Sequence, residues 1–203
     1  MLSRCLEKLE CQTFRDFNVL VVDNASDQPA PDGLLSAHPR VTLIRNQSNL
    51  GFAAANNQAI ALSGDAEWVV LLNPDAFPEP DWLERLVEAA EENPDYSMFA
   101  SRQIMDANRL LLDGEGDMYH VSGLVWRKGH GKPANDAIRQ PQEIFAPCAA
   151  GGLYRRDALV SVGGFDEDFF CYVEDVDLGF RLRLMGHRCL LAPGAVVYHI
   201  GSA

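Results

Sequence analysis

The sequence predicts a layered α/β fold, and three observations carry that prediction. Unbroken apolar runs stand at residues 19–22 and 68–72, with a second strand, Val41-Thr42-Leu43-Ile44, between them, as in strands buried in a parallel sheet. Stretches with helical apolar spacing lie between and beyond them. Turn formers end the runs abruptly, at Asp23-Asn24-Ala25-Ser26-Asp27 and at Asn73-Pro74-Asp75. Strand and helix alternating through the first half argue for a layered sheet, against a bundle or a sandwich.

Leu2, Leu6 and Leu9 share one face of a helix over 2–12. The strand at 17–22 follows, then a loop rich in Pro, Asp and Gly, then the strand at 41–44. Asn49-Leu50-Gly51-Phe52 leads into a helix over 52–63, favoured by Ala53, Ala54 and Ala55. In Trp68-Val69-Val70-Leu71-Leu72-Asn73-Pro74-Asp75, proline lacks an N–H for the sheet and turns Asn73 away from helix. Asp75 is therefore left at the carboxyl edge of a buried strand, where open α/β sheets bind ligands. A self-capping turn is the plainer reading of the same residues.

Leu83, Leu86, Val87 and Ala90 mark an amphipathic helix that stops before Pro94. From 113 to 142 periodicity is weak, which points to a functional loop or lid. Basic residues gather within 101–145 or just beyond: Arg102, Arg109, Arg127, Lys128, Lys132, Arg139, Arg155 and Arg156. Contact with an anion and a solvated loop both fit that clustering. Gly151-Gly152 turns into a short strand, 156–162 is helical, 174–185 is a second helix, and 188–191 and 195–198 are two final strands.

The 203-residue chain is long enough for one α/β domain, and its net charge of −12 argues against nucleic acid as a partner. An anionic small molecule would need a cation to screen it. Five cysteines without a CxxC pair read as reduced thiols of a cytosolic protein. There is no signal-peptide pattern and no apolar run of membrane-spanning length.

Carboxylates gather at element ends: Asp23, Asp75 and the group Glu174, Asp175 and Asp177. Acids in a first helical turn are favoured by the helix dipole. Three in four positions exceed what a cap needs, and their repulsion points to a cation or substrate.

The order Val21-Val22-Asp23-Asn24-Ala25-Ser26, Asn49-Leu50-Gly51-Phe52-Ala53, Leu72-Asn73-Pro74-Asp75, Gly163-Gly164-Phe165-Asp166-Glu167 and Glu174-Asp175-Val176-Asp177-Leu178 resembles the family 2 glycosyltransferases, in particular the bacterial rhamnosyltransferase-like branch. The resemblance implies the GT-A fold: a single three-layer α/β/α domain with a mixed, mostly parallel sheet. Residues 1–100 would form its nucleotide-binding half and 101–203 its acceptor and catalytic half. It implies inverting transfer of a sugar, rhamnose for example, from a nucleotide-sugar donor to a glycan or glycolipid acceptor. It also implies cell-wall polysaccharide synthesis as the setting.

Residue by residue, the resemblance assigns Asp23 to the nucleotide base, with Asn24, Asn49, Gly51, Asn56 and Asn73 around the nucleotide. Asp75 would hold Mg²⁺ or Mn²⁺, which resolves the charge conflict by bridging protein and diphosphate. His199 falls where the family often places a ligand to the same metal; a structural histidine is the equal alternative. Asp175 matches the general base, with Glu174 beside it, and Gly151, Gly152 and Asp177 border the sugar and acceptor. A homo-oligomer and peripheral association with the inner face of a membrane both fit, although no amphipathic basic stretch stands out to mediate the latter. One departure matters: family members begin with a central strand, and this sequence opens inside the helix that follows it. Either the remaining strands close up, a second copy fills the gap, or the chain is a truncated, non-catalytic nucleotide-sugar-binding module.

Overall fold

The computed structural model describes residues 1–30 and 33–201. In chain order the elements are α1 (Leu2–Glu10), β1 (Val19–Asp23), α2 (Leu34–Ala37), β2 (Val41–Arg45), α3 (Phe52–Leu62), β3 (Trp68–Leu72), β4 (Ala76–Pro78), α4 (Trp82–Glu92) and β5 (Met98–Met105). They continue with β6 (Leu112–Gly114), β7 (Asp117–Tyr119), β8 (Val125–Arg127), β9 (Gln142–Ile144), β10 (Gly151–Arg155), α5 (Arg156–Ser161), α6 (Glu174–Leu184) and β11 (Cys189–His199).

The apolar run of β3 has the cause inferred for it, whereas β1 and β2 stand in a separate pair and Thr42 of β2 is exposed. Successive residues of the main-sheet strands enter cores on opposite faces of that sheet. Leu71, Met98, Ala100, Tyr154 and Leu191 pack with α3, α5 and α6. Val70, Phe99, Leu153, Leu190 and Val197 pack with α4. The result is the three-layer α/β/α sandwich. Its main sheet has seven strands, with path β3-β10-β5-β11-β4, β6 on β5 and β9 on β11. It is mixed: β5 and β11 are parallel, and β10 runs antiparallel between β3 and β5. The strands β3, β5 and β11 therefore share one direction, and their carboxyl ends lie at the same end of the sheet.

β1 and β2 form a separate parallel pair. Among the described residues β1 has no ladder to β3, so the strands do not close up across the position of a first strand. Helices bridge the break instead. Leu9 of α1 packs both on the core under α4 and on the core around Leu6, Leu34 and Val41. On the other side α3 lies against β1 and packs Ile60 near Leu71.

Two expectations change. The segment after β5 is not an irregular lid: its three-residue strands are too short to show alternation. Its backbone is nonetheless paired, for example Asp117 N–H to Ala146 O and Lys128 N–H to Gly116 O. The two final strands are one, β11, whose register shifts between Ala192 and Val196, around Pro193 with its missing N–H. β4 was not anticipated because it contains Pro78, which is tolerated since β4 is an edge strand.

Gln12, fully buried, ties α1 to the sheet edge. Its amide donates to Glu79 O at 2.8 Å, and its Oε1 accepts the Leu83 N–H in the first turn of α4 at 2.9 Å. Gln12→Leu leaves the Leu83 N–H unpaired and Glu79 O with the Trp82 N–H alone, and is expected to lower stability by about 1–3 kcal/mol. A urea midpoint indistinguishable from the parent would show that the staple contributes nothing.

Candidate active site

The turn after β3 places Asp75 immediately before β4, and β4 pairs Ala76 with His199 at the end of β11. Asp75 and His199 are thereby neighbours: Nε2 lies 3.5 Å from the Asp75 carboxylate, and Ile200 N–H donates to Asp75 O at 3.1 Å. The other ring nitrogen, Nδ1, lies 2.8 Å from Oδ2 of Asp113. Burial alone would lower the His199 pKa, but the two carboxylates outweigh it and raise it to about 9. His199 in turn holds Asp75 below the ordinary carboxylate range. Burial pushes Asp113 up, yet His199 and Arg127 overcome it and leave this pKa lowered as well.

Arg127, at the end of β8, carries the arrangement onward. Its Nη1 donates to Asp113 at 2.9 Å, its Nε lies 3.7 Å from Asp117, and its Nη2 donates to Cys148 Sγ at 3.0 Å. Asp117, Cys148 and Asp175 bring donor atoms within 4.8 Å of one another. Arg127 already supplies a cation beside that trio, and burial pushes the Cys148 thiol up to about 12. Burial and then the Asp175 charge raise Asp117 to about 7.

Asp175 sits at the start of α6. Its Oδ2 accepts Ala149 N–H at 3.1 Å and its Oδ1 accepts Val176 N–H at 2.9 Å. The chain reaches α6 through Tyr172 and Val173, both left-handed with φ of 74° and 71°. For non-glycine residues that backbone costs about 1–2 kcal/mol each, strain of the kind held at functional sites. Glu174 is buried, its Oε2 has no hydrogen-bond partner among the described residues, and burial raises its pKa. Asp177 faces another way and pairs with Arg181 at 2.8 Å. That is helix support.

Gly151 and Gly152 pair with Leu72 and Leu71 of β3, and Asn73 N–H reaches Ala150 O at 3.5 Å. The two ends of the site therefore meet across the β3–β10 ladder. A Cβ on Gly152 would stand 2.9 Å from Pro147 Cβ, so close packing by itself requires glycine there.

On the nucleotide side, Asp23 caps its own loop, accepting N–H bonds from Ser26 and Ala30, each at 3.1 Å. Burial acts to raise its pKa, and these bonds more than offset it. Asn24 donates to Asn49 Oδ1 at 2.9 Å and Gly51 O at 3.0 Å, and accepts from Asn46 at 3.0 Å. Gly51 has φ 87°, and a Cβ there would meet Phe170 O at 2.7 Å; Phe52 N–H donates to the same carbonyl. Glycine thus serves contact with the loop that enters α6. Asn56 bonds back to Phe52 O within its own helix.

Of the residues that sequence reasoning singled out, Asp75 and His199 are direct neighbours, Asp175 is linked to them only through Asp113, Arg127 and Asp117, and Glu174 precedes Asp175 at the start of α6. That reasoning missed Asp113, Asp117 and Cys148. Two acids closely spaced ahead of Arg127 were the available signal. Half of the basic cluster is already neutralised: Arg102 by Glu115, Arg109 by Asp106, Arg127 by Asp113 and Arg155 by Glu67.

The model of the family "Glycosyl transferase family 2" matches residues 1–163. The chain belongs to glycosyl transferase family 2. It is 34% identical to an N-acetylglucosaminyl-diphospho-decaprenol L-rhamnosyltransferase of Mycobacterium tuberculosis, over 98% of this chain and 71% of that protein. Among solved structures, GalNAc-T7 with UDP, GalNAc and Mn²⁺ superposes with a TM-score of 0.77 at 13% identity, over 100% of this chain and 41% of that one. The mannosyltransferase PcManGT from Pyrobaculum calidifontis, in complex with GDP-Man and Mn²⁺, gives 0.67 at 20% identity, over 98% of this chain and 52% of that one. The chain thus spans about half the length of these structural relatives or less. At such identities they speak for the fold alone, which is GT-A. This family 2 protein is a glycosyltransferase by membership.

Arg127 holds two buried carboxylates, so Arg127→Met leaves Asp117 without its cation and Asp113 with only its histidine neighbours. The expected loss is about 3–5 kcal/mol, towards the lower end because the Arg127 side chain is 30% exposed. Denaturant titration measures it, and an unchanged midpoint would remove Arg127 from the centre of the site.

Proposed function

We propose that the chain transfers a sugar, with inversion, from a nucleoside diphosphate donor to a glycan or lipid-linked acceptor. A divalent cation, Mg²⁺ or Mn²⁺, assists. One observation carries the reading. A connected series of charged side chains runs Asp75–His199–Asp113–Arg127–Asp117 and reaches Asp175, with no step longer than 4.8 Å. It begins at the carboxyl end of β3, where ligands of such sheets bind.

The donor set at Asp75 suits a cation. A carboxylate oxygen and an imidazole Nε2 lie 3.5 Å apart, and Asp113 fixes the far side of the ring so that Nε2 is the one presented. When bound, the metal would offset negative charge on the departing diphosphate. The protein supplies the rest. Asp175, immobilised by two backbone N–H groups, takes the proton from the attacking acceptor hydroxyl. The unpartnered Oε2 of Glu174 accepts a hydrogen bond from the acceptor. Gly151 and Gly152 floor the sugar, and the Asp177–Arg181 pair holds the first turn of α6. Asp23, whose oxygens retain lone pairs beyond their backbone bonds, receives a base N–H, with Asn24, Asn49, Gly51, Asn56 and Asn73 bordering the nucleotide. The name of the mycobacterial relative favours rhamnose as the sugar and a diphosphate-linked polyprenol as the acceptor. That acceptor would place the enzyme at the cytoplasmic face of a membrane, in cell-wall polysaccharide synthesis.

Thermal shift with nucleoside diphosphates and Mn²⁺ should show stabilisation that needs both ligands, and Asp75→Ala should abolish the metal-dependent part. Asp175→Asn should keep that stabilisation and slow transfer about 10²- to 10⁴-fold. The open ladder between β1 and β3 favours one other reading, a nucleotide-sugar-binding module without catalysis. Ligand stabilisation without turnover under every metal tested would select it.

A further inference from the structure

The β7–β8 hairpin starts in the active site and leaves it. Asp117 and Arg127, paired across its base, belong to the charged series, and Tyr119 and Val125 are the last pair before the turn. The turn is closed by His120 N–H to Leu124 O and Gly123 N–H to His120 O, both 2.8 Å, with Gly123 at φ 86°. It displays apolar side chains to solvent: Val121 is 91% exposed, Leu124 66% and Trp126 48%. Contiguous exposure of this kind marks an interaction surface.

Charge points to the partner. The chain carries −12, yet residues 118–135 contain no Asp or Glu. Lys128 and Lys132 lie in this stretch and Arg139 shortly after it. Among the described residues none of the three has an ion pair with a carboxylate; Lys128 donates to Gln142. A hairpin whose one acid, Asp117, is buried at its base, with a bare apolar tip, a tryptophan beside it and lysines following its second strand, has the chemistry of an interfacial anchor. Apolar side chains enter the acyl boundary, the indole stays at headgroup level, and lysines meet lipid phosphates.

We infer that the hairpin tip 120–126 docks the protein on a membrane surface rich in anionic lipid. No described helix is long and apolar enough to cross a membrane. The inference rests on the sugar-transfer reading only for its purpose: a hairpin anchored at its tip holds Asp117, Arg127 and the neighbouring Asp175 over the bilayer, where a lipid-linked acceptor emerges.

The test mixes the full chain with vesicles of phosphatidylcholine, alone or with phosphatidylglycerol, and reads co-sedimentation and tryptophan emission. Anionic vesicles should bind the protein in a salt-sensitive way and shift its emission to the blue. Trp126→Phe should remove most of that shift, since Trp82 is fully buried and Trp68 packs against the core under α4. Val121→Asp with Leu124→Asp should weaken binding about tenfold or more, with an unchanged melting temperature and unchanged donor hydrolysis in solution. Lys128→Glu with Lys132→Glu should lose the preference for anionic vesicles. Equal binding to neutral and anionic vesicles, or an aspartate-tipped variant that binds like the parent, would overturn the inference. So would a concentration-dependent dimer abolished by the same tip substitutions without vesicle binding, because the tip would then belong to a second copy. Transfer to a lipid-linked acceptor in detergent without vesicle binding sinks the anchor and keeps the activity. Vesicle binding without transfer to any lipid-linked acceptor does the opposite.

Discussion

The site depends on one guanidinium. Asp113 and Asp117 are buried in a protein that already carries −12, and a buried carboxylate without a cation is strongly disfavoured. Arg127 meets both from a single strand end and also donates to Cys148. Its planar fork suits this placement, with separate N–H groups aimed at three acceptors. Because Asp113 is fixed by Arg127, the ring of His199 is fixed by Asp113, and Asp75 has a fixed neighbour in turn. The same guanidinium tempers Asp117 beside Asp175. Electrostatics on the two sides of the site are therefore set together.

Mechanical coupling across the molecule is uneven. From β3 to β4 the sheet is laddered throughout, so Asp75, His199 and Gly151-Gly152 are held by one continuous sheet. The β1–β2 pair is joined to it by packing of α1 and α3 and by a small number of polar contacts. The asparagines Asn24, Asn46 and Asn49 knit the two loops of the nucleotide side. Gly51 then passes against Phe170, five residues ahead of Asp175 in the chain. That contact joins the loop before α3 to the segment that enters α6, and the strained Tyr172 and Val173 lie between it and Asp175.

Much of the fold was legible because two-sided burial writes itself as unbroken apolar runs. Turn residues then mark where those runs stop, and this placed Asp75. The acids of α6 stood out by their density. Asp113, Asp117 and Cys148 did not, since strands of three residues show no period and their pairing partners lie far along the chain. His120, Val121 and Leu124 likewise looked unremarkable in order; only the folded hairpin presents them together beside Lys128 and Trp126.

By itself the sequence determined the layers, the positions of the strand-end carboxylates and membership of a family, because these follow from local periodicity and short motifs. Tertiary structure alone decided which carboxylates share a cation, that Asp177 turns to Arg181 while Asp175 turns to Ala149, and that β1 stays apart from β3. Those outcomes depend on distances between side chains from separate elements. Such distances are set by strand register and helix packing, and local sequence does not encode them.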